Sequence, residues 1–174
     1  MAKPIRRIVT GHDSEGHSII LMDGPPPTVM TPATNVRLTD LWETTGMPAS
    51  NAGSEDASLR PVRLIPPKSG SIFRIVEFPP DRDRKFDNRE AAFAAMGAAH
   101  ALDRGKPRHP GFHKTNTVDY AVVIEGEIWA MVDVGETLMK AGDTLVQRGT
   151  NHSWSNRSDE PCRVAFILLD ADPA

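Results

Sequence analysis

Two blocks near the C-terminus carry side chains that an ordinary core strand would not. The first, GFHKTNTVDYAVVIEG at 111–126, sets His113, Thr115, Thr117 and Asp119 at alternating positions. Residues two apart in an extended strand share a face. One side of this segment therefore presents an imidazole, two hydroxyls and a carboxylate. The second, GDTLVQRGTNHSWSN at 142–156, adds His152 and Trp154 on one face, with Asn156 following. Two imidazoles and one carboxylate with positions left open suit Fe(II), Zn(II), Mn(II) or Ni(II). Such an ion polarises a carbonyl or enolate oxygen, or acidifies bound water. The same groups also suit metal-free proton transfer beside a carbonyl, with His113 or His152 as base and Asp119 orienting it or acting as acid. A third reading is a closed internal hydrogen-bond network, His113 with Asp119, that does no chemistry. Thr115 would leave room for substrate, or its hydroxyl would support a ligand side chain from behind, and Thr117 stands beside it on the same face. Tyr120 has the opposite parity and points away.

The elements that must position these residues read mostly as strands. Residues 4–23 form a hairpin around the turn-rich HDSEG, which makes His12 and His17 surface turn residues. Residues 24–35 are a Pro/Thr-rich loop. Residues 36–46 alternate as a strand, with Val36, Leu38, Asp40 and Trp42 on one parity. Residues 47–70 are a polar, proline-rich excursion with one short extended stretch at 62–65. Residues 71–80 are a strand with Ile72, Arg74, Val76 and Phe78 on one face, ended by two prolines. One helix is expected over 88–103, opened by a capping box of Asp87 and Glu90 and stopped near Gly105. Its stripe of Phe86, Phe93, Met96 and His100 needs a surface to bury against, with His100 as a packed residue rather than a ligand. Because the helix directly precedes His113, it is expected beside the mouth of the pocket. From Val118 onward short strands alternate with tight turns, an all-β sandwich or barrel pattern. Trp129 and Met131 share the parity of Asp119 across the turn and read as core.

Composition narrows the function classes. A chain of 174 residues fits one domain with a sizeable core. A net charge of −3 and the absence of basic or zinc-finger patterns argue against nucleic acid. No apolar run approaches membrane-spanning length. The lone Cys162 opens the apolar run VAFILL, a strand expected to be buried on both faces, and reads as an inert thiol in a reducing cytoplasm. Arg74 and Arg163 could reach a substrate carboxylate if they point inward, but exposed arginines are commoner and neither is counted in the site. The doubly apolar strand and the edges of the N-terminal hairpin point to a homodimer.

The two blocks resemble the paired motifs of the cupin superfamily. Its first motif runs G-x5-H-x-H, three or four residues, E, six residues, G. His113 stands at the first His, Asp119 replaces Glu, and Gly126 follows at the required distance. Thr115 occupies the second His position, which removes one of four usual metal ligands, and Gly111 lies too close to His113 to match the opening glycine. The second motif, G-x5-P-x-G-x2-H-x3-N, is met by Gly149, His152 and Asn156. Gln147 replaces Pro, and the run from Gly142 is one residue short. The resemblance covers 108–170. It implies a double-stranded β-helix, a jelly-roll-like barrel, as a single domain over 1–174, with 1–107 supplying N-terminal strands, a long loop and one helix. It further implies a small-molecule substrate and a divalent metal held by His113, Asp119 and His152. The superfamily includes oxygenases, isomerases, lyases and cyclases, and also sugar-binding and storage proteins, so fold alone does not choose the reaction.

Overall fold

The computed structural model describes residues 4–173. Strands β1 (Arg7–His12) and β2 (Ser18–Gly24) pair antiparallel as a two-stranded sheet of their own. Their turn is closed by the Asp13 carboxylate, which accepts from the main-chain N–H groups of Glu15 and His17. His12 and His17 are exposed there, as expected. Next along the chain are β3 (Val29–Met30), β4 (Arg37–Thr44) and β5 (Ser71–Phe78). After the helical segment come β6 (Thr117–Glu125), β7 (Glu127–Val132), β8 (Glu136–Lys140), β9 (Thr144–Arg148), β10 (His152–Ser155) and β11 (Cys162–Asp170). A six-stranded antiparallel sheet runs β3-β4-β5-β11-β6-β9, and a three-stranded one runs β10-β7-β8.

The core fills the space between these two sheets. Ile72, Val76, Phe78, Val123, Val164, Phe166 and Leu168 face in from the large sheet, and Ile128, Ala130, Met139 and Trp154 from the small one. Ile72 and Ile128 are completely buried, and each such side chain contributes about 1.5–3 kcal/mol of transfer free energy. The expected all-β architecture, with N-terminal strands and one helix, is what forms.

Several local expectations are corrected. The helix α1 is only Arg89–Ala95, preceded by a 3-10 turn at Phe86–Asn88. Gly97, at φ +69, ends it: Gly97 N–H donates to Ala94 O and Ala98 N–H to Phe93 O, a Schellman closure. Asn88 holds the N-cap position with no side-chain cap bond, so the capping box of Asp87 and Glu90 does not form. His100 falls beyond the helix and is exposed instead of packed. On β4 the register shifts between Asp40 and Trp42, so Trp42 leaves the parity of Leu38 and Asp40 and lies opposite Phe73 on the outer face. On β7 Ile128 and Ala130 face the core and Met131 is buried as expected, whereas Trp129 is only half-buried and lies under the Arg157 guanidinium, 4.5 Å from the ring centre. The stretch 62–65 forms no strand, although Val62 joins the core. On β11 Val164, Phe166 and Leu168 are buried, whereas Ile167 and Leu169 are half-buried on the other face. Cys162 is fully buried, and burial pushes its thiol up to about 12, which keeps it inert. Among the described residues no helix is long and apolar enough to cross a membrane.

Candidate functional site

His113 and His152 are brought together by the backbone. His113 N–H donates to His152 O and His152 N–H donates to His113 O, both at 2.9 Å, an isolated antiparallel bridge. Residues directly opposite in such a bridge put their side chains on one face. The two rings accordingly sit with centroids 4.3 Å apart, tilted by 50°. Each ring is also oriented from behind. His113 Nδ1 lies 2.9 Å from Gly111 O, and His152 Nδ1 2.9 Å from Thr150 O. A carbonyl oxygen only accepts, so Nδ1 carries the proton in both rings and Nε2 keeps the free lone pair. Burial lowers the His113 pKa, against the pull of Gly111 O and with a further push from the Arg84 charge. Burial, followed by the neighbouring His113, takes His152 down to about 3. Both imidazoles are therefore neutral near pH 7.

These rings line a cavity between the two sheets. Its walls are mostly apolar, with Phe78, Phe93, Met96, Trp154 and Phe166 prominent. Phe93 of α1 meets the His113 ring edge-on at 5.1 Å, so the short helix does wall the pocket beside His113.

Asp119 lines the same cavity at 4% exposure, and its Oδ1 has no hydrogen-bond partner. Burial pushes this carboxyl up to about 6, against the opposing pulls of the Thr117 hydroxyl and the Arg74 charge. Asp119 does not complete a three-residue ligand set. Among the described residues no three His, Cys, Asp or Glu side chains converge closely enough to hold a metal ion. The register accounts for this. Asp119 sits inside the six-stranded sheet, opposite Leu168 and Gln147, whereas His152 belongs to the three-stranded sheet. Thr115 and Thr117 are buried behind the cavity wall, their hydroxyls 2.7 Å apart. Asn156 is structural: its Nδ2 donates to Phe78 O and Glu160 O, and its Oδ1 accepts from Ser158.

Arg74 is the residue that sequence reasoning left out. It is 1% exposed and lines the cavity. The signal was present, because it shares its parity with Ile72, Val76 and Phe78. What made an inward arginine stable was unreadable without pairing: Asp40 lies directly opposite on β4, with Oδ1 3.0 Å from Arg74 Nε. Arg84 is a second cavity-lining cation, stacked on Phe86 at 4.4 Å and donating to Trp154 O at 2.8 Å. Arg163 instead pairs with Glu77 at 3.0 Å on the outer face of the sheet.

Comparison with known proteins agrees with this architecture. The family model described as Cupin domain matches residues 102–168. Phomopsin biosynthesis cluster protein D of Diaporthe leptostromiformis is 30% identical over 179 residues, covering 96% of this chain and 79% of that protein. The cupin-domain-containing oxidoreductase fogC of Aspergillus ruber is 30% identical over 175 residues, covering 95% and 72%. Oryzines biosynthesis cluster protein J of Aspergillus oryzae is 54% identical over 71 residues; this match spans 37% of the chain and 40% of that relative's length.

Proposed function

The chain belongs to the cupin superfamily, and from that premise we propose that it binds a small, largely apolar organic molecule in the cavity and transforms it there. The observation that carries this reading is the bridged pair His113–His152. Two neutral imidazoles, each fixed by an Nδ1–H bond to a main-chain oxygen, keep their unprotonated Nε2 atoms free on an otherwise apolar wall. Nε2 can accept a proton or a hydrogen bond from a substrate hydroxyl or enol in a setting that excludes most water. Asp119 faces the same molecule from the large sheet and supplies a carboxyl whose proton affinity burial has raised toward neutrality. That relatives are named for biosynthesis clusters and as cupin-domain-containing oxidoreductases supports an enzyme acting on a small metabolite.

A divalent ion is a second reading with its own support. The bond from Nδ1–H to a main-chain oxygen is the usual way a ligating imidazole is oriented and made more basic. His113 and His152 would hold such an ion, which would supply Lewis-acid polarisation of a substrate oxygen. Asp119 does not converge with them, so the fit is to a two-imidazole site, not to the three-residue set expected from the motifs.

A panel of apolar carbonyl and hydroxyl compounds, followed by thermal shift and by mass spectrometry of products, tests the proposal. Product that disappears in His113→Ala and His152→Ala while ligand stabilisation persists identifies an enzyme. Stabilisation without product in wild type identifies a binding protein and overturns the catalytic reading.

A further inference from the structure

We infer that His109 is a positioning residue for the His113–His152 pair, a clasp that holds together the two chain segments carrying those imidazoles. The inference rests on the reading of that pair as the site of chemistry, and adds the residue that keeps it in working geometry. By strand alternation Ser153 and Ser155 take the other face of β10 from His152 and Trp154. There Ser153 Oγ lies 2.6 Å from His109 Nδ1. Gly111 N–H points to the same nitrogen at 3.2 Å. A main-chain N–H only donates, so His109 Nδ1 accepts and carries no proton, and the Ser153 hydroxyl donates to it as well. The ring proton is therefore on Nε2, which faces the Asp81 carboxylate at 3.6 Å, a charge contact longer than a hydrogen bond. His109 thus holds the opposite tautomer from His113 and His152. Its ring is buried and packs edge-on against Phe86, with centroids 5.0 Å apart.

The two donors come from the two halves of the site. Gly111 precedes His113 by two residues, and Ser153 follows His152 directly. One imidazole nitrogen therefore gathers both segments. Gly111 carries the connection onward, because its N–H is held by His109 while its O orients His113 Nδ1 at 2.9 Å. Asp81 supports the clasp from behind. Besides facing His109, it accepts from Ser155 Oγ at 2.5 Å and from Arg84 Nη1 at 3.2 Å, and Arg84 lines the cavity. His152 is oriented separately, by Thr150 O, to which Gln147 Nε2 also donates at 3.1 Å. Without the acceptor at His109, Gly111 N–H loses its partner and the strap turns to find another. Gly111 O then no longer fixes the His113 proton on Nδ1. The Nε2 lone pair that His113 offers to the cavity is lost in part of the molecules.

Heteronuclear NMR of the protein carrying nitrogen-labelled histidine reads the tautomer of each ring and tests the inference. In wild type His109 is expected with its proton on Nε2, and His113 and His152 with theirs on Nδ1. In His109→Leu the His113 signal is expected to become a mixture of both tautomers, while His152 keeps its proton on Nδ1. In His109→Asn the side-chain oxygen stands near the place of Nδ1 and accepts in its stead, so His113 is expected to return to the wild-type form. A general loss of structure would disturb His113 and His152 alike, so that result in His109→Leu overturns the positioning role. An unchanged His113 in His109→Leu overturns it too. If His109→Leu fails to fold, the wild-type spectrum still decides: a His109 proton on Nδ1 rules out the clasp and leaves the His113–His152 reading standing. Absence of product from any compound in the panel, with the expected tautomers in place, overturns the catalytic reading and leaves the clasp.

Discussion

The bridge between His113 and His152 makes each imidazole depend on the other. Any divalent ion bound here draws on both Nε2 atoms, so calorimetric titration of Zn(II), Fe(II), Mn(II) or Ni(II) should show binding in wild type that either His113→Ala or His152→Ala abolishes. Equal binding by wild type and His152→Ala would refute the metal reading. Thr115→His restores the motif on paper, yet Thr115 is buried behind the wall with its hydroxyl on Thr117. The larger ring overfills that space and removes the bond. The expected outcome is a loss of about 1–3 kcal/mol in urea unfolding, with metal affinity unchanged. Gly111 is constrained for a different reason. A Cβ there would lie 2.8 Å from Ser153 Oγ and 3.3 Å from His109 Nδ1, while Gly111 O orients His113. Gly111→Ala should therefore displace this strap, lowering stability by about 1–3 kcal/mol. It should also weaken ligand binding, measurable in one thermal-shift series.

At the scale of elements, the long loop 47–70 is fixed by ion pairs more than by regular structure. Arg7 of β1 donates to both Asp56 oxygens, at 2.7 and 2.5 Å, and also to Leu41 O and Ser58 Oγ. One guanidinium thus ties the N-terminal hairpin to the loop and to β4. The bond from Arg7 holds the Asp56 carboxyl well below the usual carboxylate range, against burial and with help from Ser58. A depressed folded-state pKa contributes stability above the unfolded value near 4 and loses it as pH falls further. Asp56→Asn should cost about 1–3 kcal/mol at pH 7. The gap between variant and wild type should narrow below about pH 4. Urea unfolding at pH 7 and pH 3 measures both.

For the whole molecule, the outer face of the six-stranded sheet matters most. Trp42, Phe73, Ile167, Tyr120 and Val146 lie opposite one another in register, a single apolar row across five strands. Phe73, Tyr120 and Val146 are exposed, and Ile124 adds to the patch. A contiguous apolar patch of this kind marks an association surface. We propose that a second copy of the chain covers it. Light scattering at micromolar concentration should then give twice the chain mass of 19.0 kDa. Tyr120→Glu should give the monomer, and a monomeric wild type would sink the idea.

The sequence by itself determined the strand-rich fold, the inward parity of His113, Thr115, Thr117 and Asp119, and the pairing of the two motif blocks as one site. Those readings rest on period-two alternation and on fixed spacing, which are local properties of the chain. It also marked Tyr120 as outward and Cys162 as buried. Tertiary structure decided which of the polar residues meet. His113 finds His152 through a cross-chain backbone bridge, while Asp119 is held by the register of β6 against β11, nearer Arg74 than its motif role implied. The same long-range pairing made Arg74 an inward residue, because Asp40, brought opposite it, offsets the cost of burying a guanidinium. Bulges and caps that depend on the fold turned Trp42 outward and stopped the helix at Ala95. Alternation fixes which face a side chain takes, and only strand register fixes its neighbours.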